Sequence, residues 1–372
     1  MWKSLTIWFL AATTASTLAC QVPVFRYALE RWQADKYRLQ VLHKDSFVKL
    51  PEQKHANIST EYFDAKNLTD AQQWSIVGLD QVTEYPSHIL TAPDSVNLEQ
   101  PVLIQKTTEK SWKSLTDSPV RTAIKEKLLA GDSAVFIHLL SGNKATDERT
   151  RKLLESTLTK AQETIELPEG VINPDEVAEA QAKGDIDFDD VLRSKIPLKI
   201  AFSIVTLDPA DPAEQDFIRI LLNGNTIDQL PETSKSLIAP VFGRGRCLAL
   251  MPASKLTEAL IMEKCQYLCN ACACSVKDEN PGFDLLINSN WDEHLINSSA
   301  IIEKAIPELT GAGDFITAKP IATTDTEIVH SLPQQERQKI DALIFSAKIF
   351  AGLVGIGIII GSFLIYKKSQ LR

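Results

Sequence analysis

The sequence predicts an α/β fold: two related α/β domains followed by one C-terminal transmembrane helix. Three observations predict it. Residues 134–140 (AVFIHLL) are nearly all apolar, the pattern of a strand covered on both faces. A unit of strand, polar loop and amphipathic helix begins there and recurs from residue 198, and such alternation implies an α/β sheet. Residues 349–366 (IFAGLVGIGIIIGSFLIY) form an uncharged run closed by Lys367-Lys368. As a helix rising about 1.5 Å per residue, that run spans roughly 27 Å, close to the hydrocarbon thickness of a bilayer.

Taken in order, residues 1–19 have the parts of a signal peptide: a charged tip at Lys3, an apolar middle, and small residues up to Thr17-Leu18-Ala19. Cys20 follows directly, where a bacterial lipoprotein would carry its lipid. The alternative is ordinary cleavage, leaving Cys20 as a free or disulfide-bonded thiol. Residues 24–32 place Phe25, Ala28, Leu29 and Trp32 at helical spacing behind Pro23. Residues 37–43 alternate like a half-buried strand, and residues 74–79 read as another. Ser118-Pro119 opens a helix that ends before Gly131. After the apolar strand, Thr146 is the expected cap of a helix whose Leu153, Leu154 and Leu158 form a buried stripe.

Residues 20–168 thus make the first domain, and the acidic, weakly patterned residues 169–196 a linker. Residues 197–315 make the second domain, with a strand at 198–207 and a helix carrying Phe217, Ile218, Leu221 and Leu222. A polar stalk (316–341), the span (342–367) and a short tail (368–372) complete the chain. The signal peptide orients it: the body is exported across the bacterial cell membrane and the tail stays in the cytoplasm. Within the span, Gly357 and Gly361 form a small-residue face, repeated by Ala351 and Gly355. That face suits a membrane-protein partner or a second copy of the chain.

The chain of 372 residues has a formal net charge of −9 and no dense basic run, which opposes nucleic acid as a partner. Its densest chemical constellation is Cys265, Cys269, Cys272 and Cys274, with Cys247 upstream. Ser254 is the expected cap of a helix over residues 255–271, which would set the first three thiols on one face. Cβ atoms at i and i+4 lie about 5–6 Å apart, too far for a disulfide between Cys265 and Cys269. Cys269–Cys272 and Cys272–Cys274 close more easily if the helix ends there. Structural disulfides, buried thiols, a thiolate-bound metal and redox catalysis all stay open. The Cx3Cx2C spacing of a radical-SAM cluster is also present, but an exported location opposes it.

Phe242-Gly243-Arg244-Gly245-Arg246 reads as a solvated hairpin tip or, alternatively, as a turn whose arginines hold a carboxylate or phosphate. Asp185, Asp187, Asp189 and Asp190 lack the glycine and glutamate of an EF-hand and read as a solvated acidic loop. His138 and His43 read as hydrogen-bonded core histidines. No GxSxG, Walker A, HExxH or complete GxGxxG motif occurs.

The stretch from Cys20-Gln21-Val22-Pro23 through Ala28-Leu29-Glu30-Arg31-Trp32 resembles the opening of a group of bacterial envelope proteins with no assigned activity. The FGRGR turn and the stretch from Cys272-x-Cys274 to Asn280-Pro281-Gly282-Phe283-Asp284-Leu285-Leu286 are similar to later parts of that group. Cys20-x-x-Pro23 leading into a helix also resembles thioredoxin-like domains. The second cysteine of their CxxC is missing, so the resemblance does not imply dithiol exchange at this position. The expectation is a membrane-anchored binding or assembly component of an envelope complex. The alternative is a thiol-dependent redox or metal-handling protein centred on Cys265 to Cys274.

Overall fold

A computed structural model describes residues 20–45, 50–184, 186–272 and 276–296. The expected signal peptide, stalk, membrane span and tail, and with them Gly357 and Gly361, lie outside the described residues, as does Cys274. Among the described residues, no helix is long and apolar enough to cross a membrane.

The fold is mixed α/β. It opens with β1 (Cys20–Pro23) and α1 (Val24–Arg31), then a first sheet of β2 (Tyr37–His43), β3 (Ile58–Asp64), β4 (Ser87–Thr91) and β5 (Leu103–Lys106). Helices α2 (Asp70–Ser75) and α3 (Glu109–Ser114) lie among or just after those strands in the chain, followed by α4 (Pro119–Leu129). The second sheet contains β6 (Ala134–Leu139), β7 (Phe202–Leu207), β8 (Leu237–Phe242), β9 (Arg246–Cys247) and β10 (Met251–Pro252). Between and after these strands the chain forms α5 (Lys144–Thr164), α6 (Val177–Lys183), α7 (Gln215–Leu221) and α8 (Glu258–Cys269). After α8 come β11 (Ala271–Cys272), β12 (Phe283–Asp284), which joins the second sheet, and α9 (Trp291–Ile296).

The two sheets share one layout. The first runs β3-β2-β4-β5, with β2 parallel to β3 and antiparallel to β4, and β4 antiparallel to β5. The second places β7-β6-β8-β9 in the same relation: β6 parallel to β7, antiparallel to β8, and β8 antiparallel to β9. A parallel pair needs a crossover of a dozen or more residues. In the second sheet that crossover holds the long helix α5; in the first, the described part of residues 44–57 forms no helix.

This pairing redraws the expected domains. The strands at 134–139 and 202–207, assigned above to different domains, are neighbours in one sheet. They are successive arms of a single unit, not starts of two. Residues 169–196 are no free linker either. They lie inside the β6–β7 crossover, where Ile172 bridges Val191, and Val191, Leu192 and Ser194 are buried. The reason is that sheet pairing is long-range, whereas a reading along the chain groups neighbours.

The apolar β6 behaves as its composition requires. Val135, Ile137 and Leu139 point into one core, shared with Leu39, Leu90 and Leu103 of the first sheet; Ala134 and Phe136 point into a second. That second core also holds Phe25 and Ala28 of α1, Trp32 just past its end, Leu154 and Leu158 of α5, and Cys265, Leu268 and Cys269 of α8. Although α1 is first in the chain, it packs on the second sheet. His138 is buried and meets Ser236 Oγ at 3.2 Å, as a core histidine should.

Local signals held at α4, where Ser118 caps the helix, Pro119 occupies its first turn, and Gly131 follows its end with φ 92°. Elsewhere they shifted. Asn143, not Thr146, caps α5; Thr257, not Ser254, caps α8. Residues 74–79 are not a strand: Thr69 and Gln72 form a capping box that starts α2, and Trp74 is 89% exposed.

Candidate functional site

The cysteines divide between three environments. Cys265 and Cys269 face inward from α8, wholly buried in the second core, as thiols not joined to each other. Burial pushes both up to about 12. For Cys265 the neighbouring Cys269 adds to the rise, and for Cys269 a Ser133 hydrogen bond opposes it. Cys247 lies in the other core with its Sγ donating to Ala249 O at 3.7 Å, also pushed by burial to about 12. Nucleophilic attack and soft-metal binding both need the thiolate, which this burial disfavours.

Cys272 leaves the helix. Asn270 ends α8 in extended conformation, and β11 runs antiparallel to β1 with Cys272 opposite Cys20. Half-buried Cys20 is a free thiol whose Sγ donates to Asp189 O at 2.9 Å. The expected metal set therefore does not assemble from its described members. Cys265, Cys269 and Cys272 share the second core, yet among the described residues no group of three or more His, Cys, Asp or Glu is placed to hold a metal ion. Cys265 and Cys269 lie on α8, the latter as its last residue, and Cys272 lies beyond it in β11.

The FGRGR turn differs from a solvated tip. Gly243 adopts φ 58°, and a Cβ there would sit 2.7 Å from Ala28 Cβ, so glycine lets the turn press against α1. Both arginines are consequently buried. Arg246 donates to Asn280 O at 2.8 Å and Pro281 O at 3.2 Å, and pairs with buried Asp284 at 3.4 Å. Asp284 also accepts from Lys277 and from Asp35 N. Gly282 is needed in the same contact, since a Cβ there would meet Cys247 O at 2.4 Å. Burial alone would raise Asp35, but hydrogen bonds from Lys277 and Ser95 outweigh it and hold its carboxyl below the usual range.

Arg244 faces the other way. Its Nε donates to Leu29 O at 2.9 Å, and its Nη1 reaches Gln33 Oε1 at 2.9 Å and Asp292 Oδ1 at 2.8 Å. It forms one wall of a polar cleft of about 270 Å³, whose lining also includes Lys36, Lys54, His55, Ser289 and Asp292. Hydrogen bonds join the two parts of the chain beside the cleft: Ser289 N donates to His55 O at 2.9 Å, and the Asn57 side-chain Oδ1 accepts from Ile287 N at 3.1 Å. Ser289 is only 7% exposed, and its hydroxyl has no hydrogen-bond partner among the described residues. A buried hydroxyl left unpaired costs about 1–3 kcal/mol. With Lys36, Lys54 and Arg244 against Asp292, the wall carries two more positive than negative groups.

Of the cleft's cationic members, the reading along the chain singled out only Arg244. Its other members come from positions near 36, 55 and 290, which only the fold brings together. A second, more open depression of about 550 Å³ lies at the carboxyl ends of β6 and β7, beside His138, Asp147 and Arg151. There Asp147 already accepts from Ser141 N and Oγ, so its carboxylate is engaged. No protein-family model, curated protein or solved structure matches the chain.

Proposed function

We propose that this chain is a membrane-anchored, exported binding or assembly component of a bacterial envelope complex, and that it grips a carboxylate-bearing segment of its partner in the Arg244 cleft. The lining of that cleft, with Lys36, Lys54 and Arg244 against the single carboxylate of Asp292, carries this reading. The anchor and the exported location rest on residues 349–366 and 1–19 of the sequence. We read each sheet as a thioredoxin-like unit, whose sheet is likewise a parallel pair flanked by an antiparallel hairpin; the shared strand order supports this. Such a unit used for redox work would carry CxxC at the start of its first helix. Here α5 opens with Ser141-Gly142-Asn143, which favours binding over dithiol chemistry.

The test uses the intact chain in mild detergent, titrated calorimetrically with a short polyglutamate peptide. The whole molecule is acidic, so diffuse attraction works against binding, and a measured affinity reports a local site. Lys36→Glu/Lys54→Glu, two exposed changes, should weaken binding at least tenfold with folding intact. No binding by the native protein, or equal binding by the double variant, would overturn the reading.

A further inference from the structure

We propose that Cys20 and Cys272 are an oxidisable pair that closes into a disulfide, fastening the first strand of the folded body to the segment leaving α8. Strand register carries the inference: the two residues are direct partners across the antiparallel β1–β11 pair. Directly opposite residues in such a pair have Cα atoms about 4.5–5.5 Å apart and side chains on the same face. A disulfide spans Cα separations of about 4.4–6.8 Å, so the backbone already stands at bridging distance. The Cβ atoms of such partners lie about 4.5–5.5 Å apart, against about 3.5–4.5 Å across a disulfide. The register shift between Cys20 and Pro23 gives β1 the slack for that approach. Cys265 and Cys269, one helical turn apart, have no such freedom.

Surroundings assign the order of events. Cys20 is half-buried and reachable, whereas Cys272 is 2% exposed. The oxidant is a disulfide compound. The Cys20 thiolate attacks one of its sulfurs, releasing one thiol and leaving Cys20 in a mixed disulfide. The Cys272 thiolate then attacks Cys20 Sγ, forming the internal bond and releasing the second thiol. Two electrons pass to the oxidant, and the two thiol protons end on its released halves. Closure breaks the hydrogen bond from Cys20 Sγ to Asp189 O and makes a lipid thioether at Cys20 impossible.

This inference is independent of the cleft, and its test is independent of the compartment. The purified, reduced full-length protein is treated with oxidised glutathione, its remaining thiols are alkylated, and its peptides are mapped by mass spectrometry. The expected product joins the peptides of Cys20 and Cys272, lighter by two hydrogens than their sum. It disappears in Cys20→Ser and in Cys272→Ser, and persists in Cys274→Ser. Alkylation of both sulfurs after oxidation, a Cys272–Cys274 link in its place, or a diacylglyceryl thioether on Cys20 would each overturn the proposal.

Discussion

Two arginine–carboxylate pairs in this molecule have nearly the same length and opposite surroundings. Arg26 Nε lies 2.8 Å from Glu30 Oε1, with both side chains wholly buried. Glu30 also accepts from Arg193 N, Ser194 N and Ser194 Oγ, while Arg26 Nη2 reaches Ser194 O and Ile196 O. Arg244 Nη1 lies 2.8 Å from Asp292 Oδ1, but here the carboxylate side chain is 60% exposed and two lysines stand beside it. The first pair is held by backbone groups and the Ser194 hydroxyl, and it binds α1 to the segment that precedes β7. The second leaves positive charge facing a cleft. Whether an ion pair builds structure or binds a ligand is thus decided by what else touches it.

The largest effect expected from this contrast is at Glu30. Glu30→Ala leaves Arg26 charged and buried without its counter-ion, a loss of about 3–5 kcal/mol. A urea denaturation midpoint that barely moves would mean the pair is not the clamp described. The direction at Arg26 agrees: burial lowers its proton affinity and Glu30 restores part of it.

His88 shows a third solution to burial, remaining neutral. Its Nδ1 meets Thr107 Oγ1 at 3.0 Å, no counter-ion is in contact among the described residues, and burial lowers its pKa to about 4. The unfolded chain, with histidine near 6.5, therefore binds the extra proton between pH 6.5 and 4. Stability is full above that window and falls through it on acidification, by about 3 kcal/mol for a shift of this size. His88→Gln should flatten the fall measured by urea denaturation between pH 7 and 4.5. An unchanged slope would assign the acid sensitivity to other groups.

The smallest stability change belongs to the second pair. With its carboxylate largely in solvent, Asp292→Ala should cost under about 1 kcal/mol. It should nevertheless tighten polyglutamate binding, because the competing carboxylate on Arg244 is gone. Weaker binding would make Asp292 part of the recognition surface instead of its rival.

What could be read from the chain follows from the range of the forces involved. The α4 boundaries are written by Ser118, Pro119 and Gly131, because caps act within a turn. The two-faced burial of β6 is written by its unbroken apolar run. The i, i+4 spacing also separates Cys265 from Cys269 as disulfide partners, and both are thiols. What was not legible depends on pairing across long separations: β7 joining β6, α1 packing on the second sheet, Cys20 meeting Cys272. Arg244 and Arg246 looked solvated because glycine-rich turns usually are; here the missing Cβ at Gly243 serves close packing on α1. Lys36, Lys54 and Ser289 carry no local signal at all, since an isolated lysine or serine reads as ordinary surface.

Hydrogen exchange of the intact protein, with and without saturating polyglutamate peptide, tests the cleft most directly. The expected result is slowed exchange over residues 33–36, 54–57 and 287–292, the three segments that line the cleft with Arg244. Protection confined to the depression beside His138, or no protection anywhere at saturation, would contradict it.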